Sequence, residues 1–304
     1  MISSIFLILI IFSILFIVAW IWFFGVNSSK SINGIYNRAL KKMEKEKYKE
    51  AKDLFIIVEA QDSNYKELQK YLGICYVKLE NYEKAKDYFE KLIKTASKDF
   101  LVLQNAATVF FNLKDFQRAE EFYKKALEIN KANADCFMNL GISQFCQNKY
   151  QDAIESLKDY EFKFGANVKT QFYINRCEES ICDENDKQKM SEILNEYVRL
   201  SKLPEFPREF DNVLAVFFAK MGKIDLMLES CNKIISYNPE DTNAYKLLGL
   251  VNVFMKKPAQ AKNDLSIALD LDPENEEVKE ILSFILCQEE KHMQSKECRE
   301  KVRN

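Results

Sequence analysis

Glycine and proline are scarce in this chain, 7 and 5 among 304 residues, and histidine occurs once. Few helix breakers suit a chain built of helices, and no glycine-rich loop is available to cradle a phosphate. The single histidine, His292, lies in a polar stretch near the C-terminus. That leaves no Ser-His or Cys-His pair for nucleophilic catalysis and no H-E-x-x-H helix. Eight cysteines are scattered without a C-x-x-C pair, so zinc ribbons and thioredoxin-like motifs are missing as well. Cys287, His292 and Cys298 would supply at most three metal ligands at unusual spacing and read as surface residues. Asp183, Glu184 and Asp186 lack the glycine and ligand spacing of a calcium loop and read as solvated loop charge. A net charge of −2 gives no general attraction to nucleic acid. The expectation is therefore a protein that is not an enzyme. It would have no cofactor, no metal, no nucleic-acid partner and no small-molecule substrate.

What the chain does have is a period of thirty-four residues. An aromatic residue followed by a small one three positions later recurs at Tyr48/Ala51, Tyr82/Ala85, Phe116/Ala119 and Tyr150/Ala153. Gly249, Ala261 and the pair Pro239 and Pro273 continue the period near the C-terminus. A period of this length marks one supersecondary unit stacked on itself. Small residues at Gly73, Ala85, Gly141 and Ala153 let two helices approach closely, and large residues between them fill the space around the contact.

The motif resembles the tetratricopeptide repeat, whose pattern runs W-x2-L-G-x2-Y, then A-x3-F, then P. The second unit reads Leu72, Gly73, Tyr76, Ala85 and Phe89. The fourth reads Phe137, Leu140, Gly141, Ala153 and Leu157, and the last reads Tyr245, Leu248, Gly249, Ala261, Leu265, Ala268 and Pro273. The third (Leu103, Ala106, Ala107, Phe110, Ala119, Tyr123, Ala126) and the first (Tyr48, Ala51, Phe55) are looser. The resemblance covers about residues 32–287. It implies an all-α, right-handed α-solenoid of about seven helix pairs plus a C-terminal capping helix, with binding of protein or peptide partners in a concave groove.

The frame slips between Ala153 and Ala261. Met190 and Met227 fall at the small-residue position, and each step carries three extra residues. One insertion is the acidic stretch Cys182 to Asp186; the other is Leu203-Pro204-Glu205-Phe206-Pro207, whose prolines must interrupt a helix. Either a hinge separates two blocks, or two longer loops interrupt an otherwise continuous stack. The domain reading is an anchor and linker at 1–29, repeat units one to four at 30–167 and a degenerate unit at 168–207. Units six and seven follow at 208–273, then a capping helix and polar tail at 274–304. In the cap, Val278, Ile281, Leu282, Ile285 and Leu286 share one helical face.

From Ile5 to Phe24 the chain carries no charge, and Ser13 is its only polar residue. Twenty residues make about 30 Å of helix, enough to cross a hydrocarbon core. Trp20 and Trp22 would sit at the interface. The stretch lacks the basic n-region and small-x-small site of a cleaved signal. A single-pass anchor is expected, preceding the solenoid. Lysines dense from Lys30 to Lys52 favour a cytoplasmic repeat domain with the N-terminus outside. These lysines form either a solvated helix face or a surface for anionic lipid. Scattered thiols fit a reducing compartment. The alternative is an anchored extracytoplasmic repeat protein that assists secretion or envelope assembly. The layout of anchor and repeats resembles the bacterial lipopolysaccharide-assembly protein B family, without its C-x-x-C metal module.

In tetratricopeptide proteins the first helix of each pair lines the groove, often with asparagine two positions before its small residue. Here Asn37, Tyr71, Asn105 and Asn139 occupy that place, and Lys70, Gln104, Met138, Asn212 and Lys246 are neighbouring groove candidates. Asparagine both donates and accepts, so such a ladder suits the backbone of an extended peptide; it is also simply part of the family pattern. The family's chaperone-tail clamp falls on Lys70, Ile74, Asn105, Asp135 and Asn139. Only two of the five match and Asp135 reverses a charge, so a chaperone-tail receptor is not expected. The resulting expectation is a scaffold that recruits partners at the cytoplasmic membrane face.

Overall fold

The structure, a computed structural model, describes residues 31–95, 98–183 and 185–287. They divide between two compact units, Met1–Ala166 and Asn167–Asn304. The first unit contains four antiparallel pairs: α1 (Ile32–Glu44) with α2 (Tyr48–Gln61), α3 (Leu68–Lys78) with α4 (Tyr82–Thr95), α5 (Phe100–Asn112) with α6 (Phe116–Ile129), and α7 (Ala134–Cys146) with α8 (Tyr150–Phe164). The second contains α9 (Val168–Ile181) with α10 (Lys187–Ser201), α11 (Asp211–Lys220) with α12 (Ile224–Tyr237), and α13 (Thr242–Phe254) with α14 (Pro258–Leu271). A short 3-10 turn, Arg208–Phe210, leads into α11, and residues 276–287 form a last helix, α15.

Local chemistry explains the boundaries. Aspartate or asparagine caps many of the helix starts. Asp99 accepts from the Leu101 and Val102 amides, Asn133 from Cys136 and Asp241 from Ala244, satisfying donors that the first turn would leave orphaned. Six of the seven turns inside pairs place one residue in the left-handed region: Glu46, Glu80, Lys114, Asn148, Gly222 and Lys256, with φ between 56° and 64°. Only one of the six is the glycine that this conformation favours. The turn inside the α9–α10 pair runs over five residues, Cys182 to Asp186, where the others take three. Pro204 and Pro207 lie in the segment between α10 and the 3-10 turn, where the missing N–H costs no helical bond.

The period translates directly into packing. Ala51, Ala85, Ala119 and Ala153 are fully buried at the start of each second helix of the first unit. Gly141 and Gly249 face Leu157 and Leu265 so closely that a Cβ would come within 2.6 and 2.5 Å of the leucine Cγ atoms. The first unit's core runs from Ile35 and Phe55 through Phe89 and Phe110 to Leu140. The second unit has one cluster around Phe172, Tyr197, Phe217, Met227 and Ile234 and another where Val278 and Ile285 of α15 cover Ala261, Leu265 and Ala268.

Leu286 corrects the expected cap face, since it is exposed. It stands about 80° around the helix from Val278, at the rim of the apolar stripe. No described helix is long and apolar enough to cross a membrane. The expected anchor, with Ile5, Trp20, Trp22 and Phe24, lies outside the described residues, as do His292, Cys298 and the polar tail beyond residue 287.

Candidate binding faces on the first helices

Each sequence-predicted groove residue sits on the first helix of a pair: Asn37 on α1, Lys70 and Tyr71 on α3, Gln104 and Asn105 on α5, Met138 and Asn139 on α7, Asn212 on α11, Lys246 on α13. Asn37 is exposed and Met138 half-buried. The others are committed to contacts within their own unit. Lys70 is buried and bridges Glu67 at 2.5 Å and Asp99 at 3.2 Å. Burial works against its charge, but the two carboxylates outweigh burial and hold its pKa above the ordinary lysine value. Tyr71 donates to Glu67 at 3.3 Å and stacks on Phe55.

A common pattern emerges from the register. Lys70 donates to Asp99, Gln104 to Asn133 at 3.5 Å, and Asn212 to Asp241 at 3.3 Å. Each acceptor is the N-cap of the first helix in the following pair, twenty-nine residues on. Lys246 repeats the gesture toward α15 by donating to Glu277 at 2.7 Å. Within the units, these side chains tie the second pair to the third, the third to the fourth, the sixth to the seventh and the seventh to α15. The signal was present in the sequence as a polar residue twenty-nine positions before Asp99, Asn133 and Asp241, but it shows only once the caps are located.

The asparagine ladder is also partly occupied. Asn105 Nδ2 donates to its own helix at Leu101 O, 2.8 Å away. Asn139 neighbours the buried phenol of Tyr123, which meets the Thr108 hydroxyl at 3.3 Å. Burial pushes the Tyr123 pKa up, against the pull of Thr108 and Asn139.

In the second unit the first helices enclose a cleft of about 380 Å³. Arg176 and Glu179 come from α9; Asn212, Val213, Val216, Phe217 and Lys220 from α11; Asn243, Lys246 and Leu247 from α13. It brings together two sequence-predicted residues, Asn212 and Lys246. The Asn212 amide oxygen is buried there without a hydrogen-bond partner among the described residues. A cleft of about 540 Å³ between α1 and α2 is lined by Arg38, Lys41, Lys42, Lys45, Glu50 and Asp53, among others, and Lys42 bonds Glu50 at 2.5 Å. That hydrogen bond holds the Glu50 carboxyl below its ordinary range. Among the described residues no group of three or more His, Cys, Asp or Glu side chains is placed to hold a metal ion.

Helix pairs of this length, stacked at a thirty-four-residue period with alanine and glycine at the crossings, define the tetratricopeptide-repeat fold. Comparison with known proteins agrees. Residues 78–160 match the family described as anaphase-promoting complex, cyclosome, subunit 3. A tetratricopeptide repeat protein from Parabacteroides merdae superposes with a TM-score of 0.62 at 15% identity, covering 84% of this chain and 98% of that one. The anaphase-promoting complex hetero-tetramer Cut9-Hcn1 gives 0.61 at 15% identity, over 86% of this chain and 51% of that one. These likenesses show the fold. In sequence, the chain is similar to the BBSome complex member BBS4 of Bos taurus, 27% identical over 217 residues, 71% of this chain and 40% of that protein. It is also similar to the Hsp70-Hsp90 organizing protein of Triticum aestivum, 22% identical over 69% of this chain and 42% of that one. The chain thus spans about two-fifths of the length of these relatives.

Proposed function

We propose that the chain is a scaffold that binds protein or peptide partners on its first-helix faces and is held at a membrane by the apolar segment from Ile5 to Phe24. The observation that carries the binding reading is the cleft on the second unit. Its walls mix apolar groups, Val213, Val216 and Leu247, with the cationic Arg176, Lys220 and Lys246. Stacked repeats characteristically offer such extended surfaces to partners. Relatives named as members of the BBSome, or as organizing Hsp70 and Hsp90, are consistent with a role in assemblies. The membrane reading rests on twenty uncharged residues followed by a lysine-rich stretch, which favours the cytoplasmic face.

A photo-crosslinking amino acid placed at Lys220, and separately at the exposed Phe162 of the first unit, tests the binding site in intact cells. Partner adducts should form from position 220 and not from 162; equal labelling would remove the cleft as the binding face. For the membrane, an impermeant thiol reagent should leave the exposed Cys146 and Cys287 unmodified until cells are lysed. Burial around Cys146 pushes its thiol pKa up, so labelling belongs at mildly alkaline pH. Labelling without lysis would favour repeats outside the cytoplasm, and full extraction by carbonate would remove the anchor.

A further inference from the structure

The second unit's first-helix face carries two rows of apolar side chains at the repeat period. Val213, Leu247 and Ile281 form one row and Val216, Leu250 and Phe284 the other. The outer row is open to solvent: Val216 is 44%, Leu250 36% and Phe284 58% exposed. These residues are not needed for the core, because their neighbours Phe217 and Val251 fill it and are almost wholly buried. Exposed apolar groups repeated in register over three successive first helices form a continuous strip, and such strips mark interaction sites.

Charge and hydrogen bonding specify the occupant. Arg176, Lys220 and Lys246 rim the cleft against a single lining carboxylate, Glu179. Arg176 is paired with Glu179 at 2.5 Å, and Lys246 with the exposed Glu277 at 2.7 Å. Lys220 is exposed and makes no ion pair with a described residue. Asn212 spends its amide N–H on the Asp241 cap, and its oxygen is closed off inside the unit. A ligand that completes this surface supplies apolar side chains for the two rows and a carboxylate for Lys220.

We propose that the second unit binds an acidic peptide segment in which Asp or Glu alternates with large apolar residues. This rests on the peptide-binding reading above and names its ligand. The test takes the full chain in detergent micelles and selects binders from a phage-displayed random peptide library. Selected sequences should be enriched in Asp and Glu beside Leu, Ile or Phe. Labelled copies should bind about tenfold more weakly to Lys220→Glu and to Leu250→Asp, the loss of about 1.4 kcal/mol that one ion pair or one buried aliphatic group supports. Replacing the peptide carboxylates by amides should cause a similar loss on the parent chain and little on Lys220→Glu.

Circular dichroism of each variant separates unfolding from lost contact, and Val216→Ser repeats the test with a milder change. Binders without acidic enrichment, or binding indifferent to both Lys220→Glu and Leu250→Asp, overturn the acidic-peptide inference. If such binders instead respond to Asn105→Ala or Asn139→Ala, the peptide-binding reading stands and only this site fails. No selectable peptide at all removes both. Self-association abolished by Leu250→Asp would replace the peptide by a second copy and overturn the proposal.

Discussion

At one place in the repeat the two units differ in kind. The first carries Asn37, Tyr71, Asn105 and Asn139; the second carries Val213, Leu247 and Ile281 two positions before Ala215, Gly249 and Ser283. In the first unit the Asn105 amide is consumed within the stack, by Leu101 O. In the second, Val213 and Leu247 at the matching place line an open cleft. The comparison teaches that the fold constrains the packing positions and leaves the groove-facing ones free. Glycine stands at Gly73, Gly141 and Gly249, where a Cβ would meet Phe89, Leu157 and Leu265. Alanine stands buried at the second-helix position of every pair in the first unit and at Ala261 in the second, whereas Met227 takes that place in α12. The face between them varies.

The largest expected effect tests whether each unit owns its core. Phe110 in the first cluster and Phe217 in the second are both at most 1% exposed. Phe110→Ala and Phe217→Ala should each cost about 3–5 kcal/mol, from lost transfer energy and the cavity left behind. Hydrogen exchange read by mass spectrometry should rise within residues 31–166 for the first and within 167–287 for the second. Matching profiles for the two variants would break the distinction between units.

A smaller effect concerns a buried charge in the first unit. Glu120 is 6% exposed and accepts from Lys124, Lys149 and Gln147 at 2.7, 2.7 and 2.8 Å. Burial alone would raise its pKa, but these hydrogen bonds outweigh burial and lower it from 4.5 to about 2. A depressed carboxylate contributes stability that is complete above the unfolded value, near 4.5, and is lost as pH falls through the folded value, near 2. Glu120→Gln should therefore cost about 2–3 kcal/mol at pH 7. The gap to the parent chain should close as urea melts are repeated from pH 4.5 downward; a constant gap would mean the charge contributes nothing. In the second unit, Asp211 is 1% exposed and accepts from Lys233 at 3.0 Å and the Tyr237 hydroxyl at 3.1 Å.

The sequence made the all-helical stack legible because its signal is steric. Helices begin at Tyr48, Tyr82, Phe116 and Tyr150, and the alanines that follow are buried, since only a small residue fits a close crossing. Pro204 and Pro207 marked one of the longer connections because they cannot continue a helix, and the slip of three residues in the frame marked both. The face was harder to read. Lys70, Gln104, Asn212 and Lys246 have the right types and register for a ligand, but each reaches toward the helix start of the next pair. A register position alone does not say whether a side chain points at a partner or at the neighbouring cap. The apolar rows of the second unit were likewise visible at the repeat spacing. Their exposure was not, because an apolar residue on a helix is ordinarily assigned to the core.

The caps give the third test. Asp99 accepts two amides and the Lys70 ammonium, whereas Asp241 accepts an amide and the neutral Asn212 and Asn238 side chains. Either aspartate changed to alanine should cost about 1–2 kcal/mol in a denaturant melt, as for other lost caps. Asp99→Asn keeps an acceptor but loses the ion pair, so it should be the more damaging of the two asparagine variants, and the more salt-dependent. Equal losses at both positions would mean that the inter-pair link adds nothing to the cap.

The smallest effect bears most directly on the contrast between the ladders. Asn139→Ala removes a polar neighbour of the buried Tyr123 phenol and should cost about 0.5–1.5 kcal/mol. Val213→Asn, at the matching place in the second unit, puts a polar group at a half-buried position packed against the core and should cost about 1 kcal/mol. Ligand binding should fall for Val213→Asn and not for Asn139→Ala, because Val213 belongs to the strip bordering the cleft and Asn139 is tied to its own core. Both quantities come from the same two purified variants, by denaturant melts and by anisotropy with a selected acidic peptide. A Val213→Asn variant that binds normally would make the apolar row part of the packing. An Asn139→Ala variant that keeps its stability and loses binding would return the groove to the first unit.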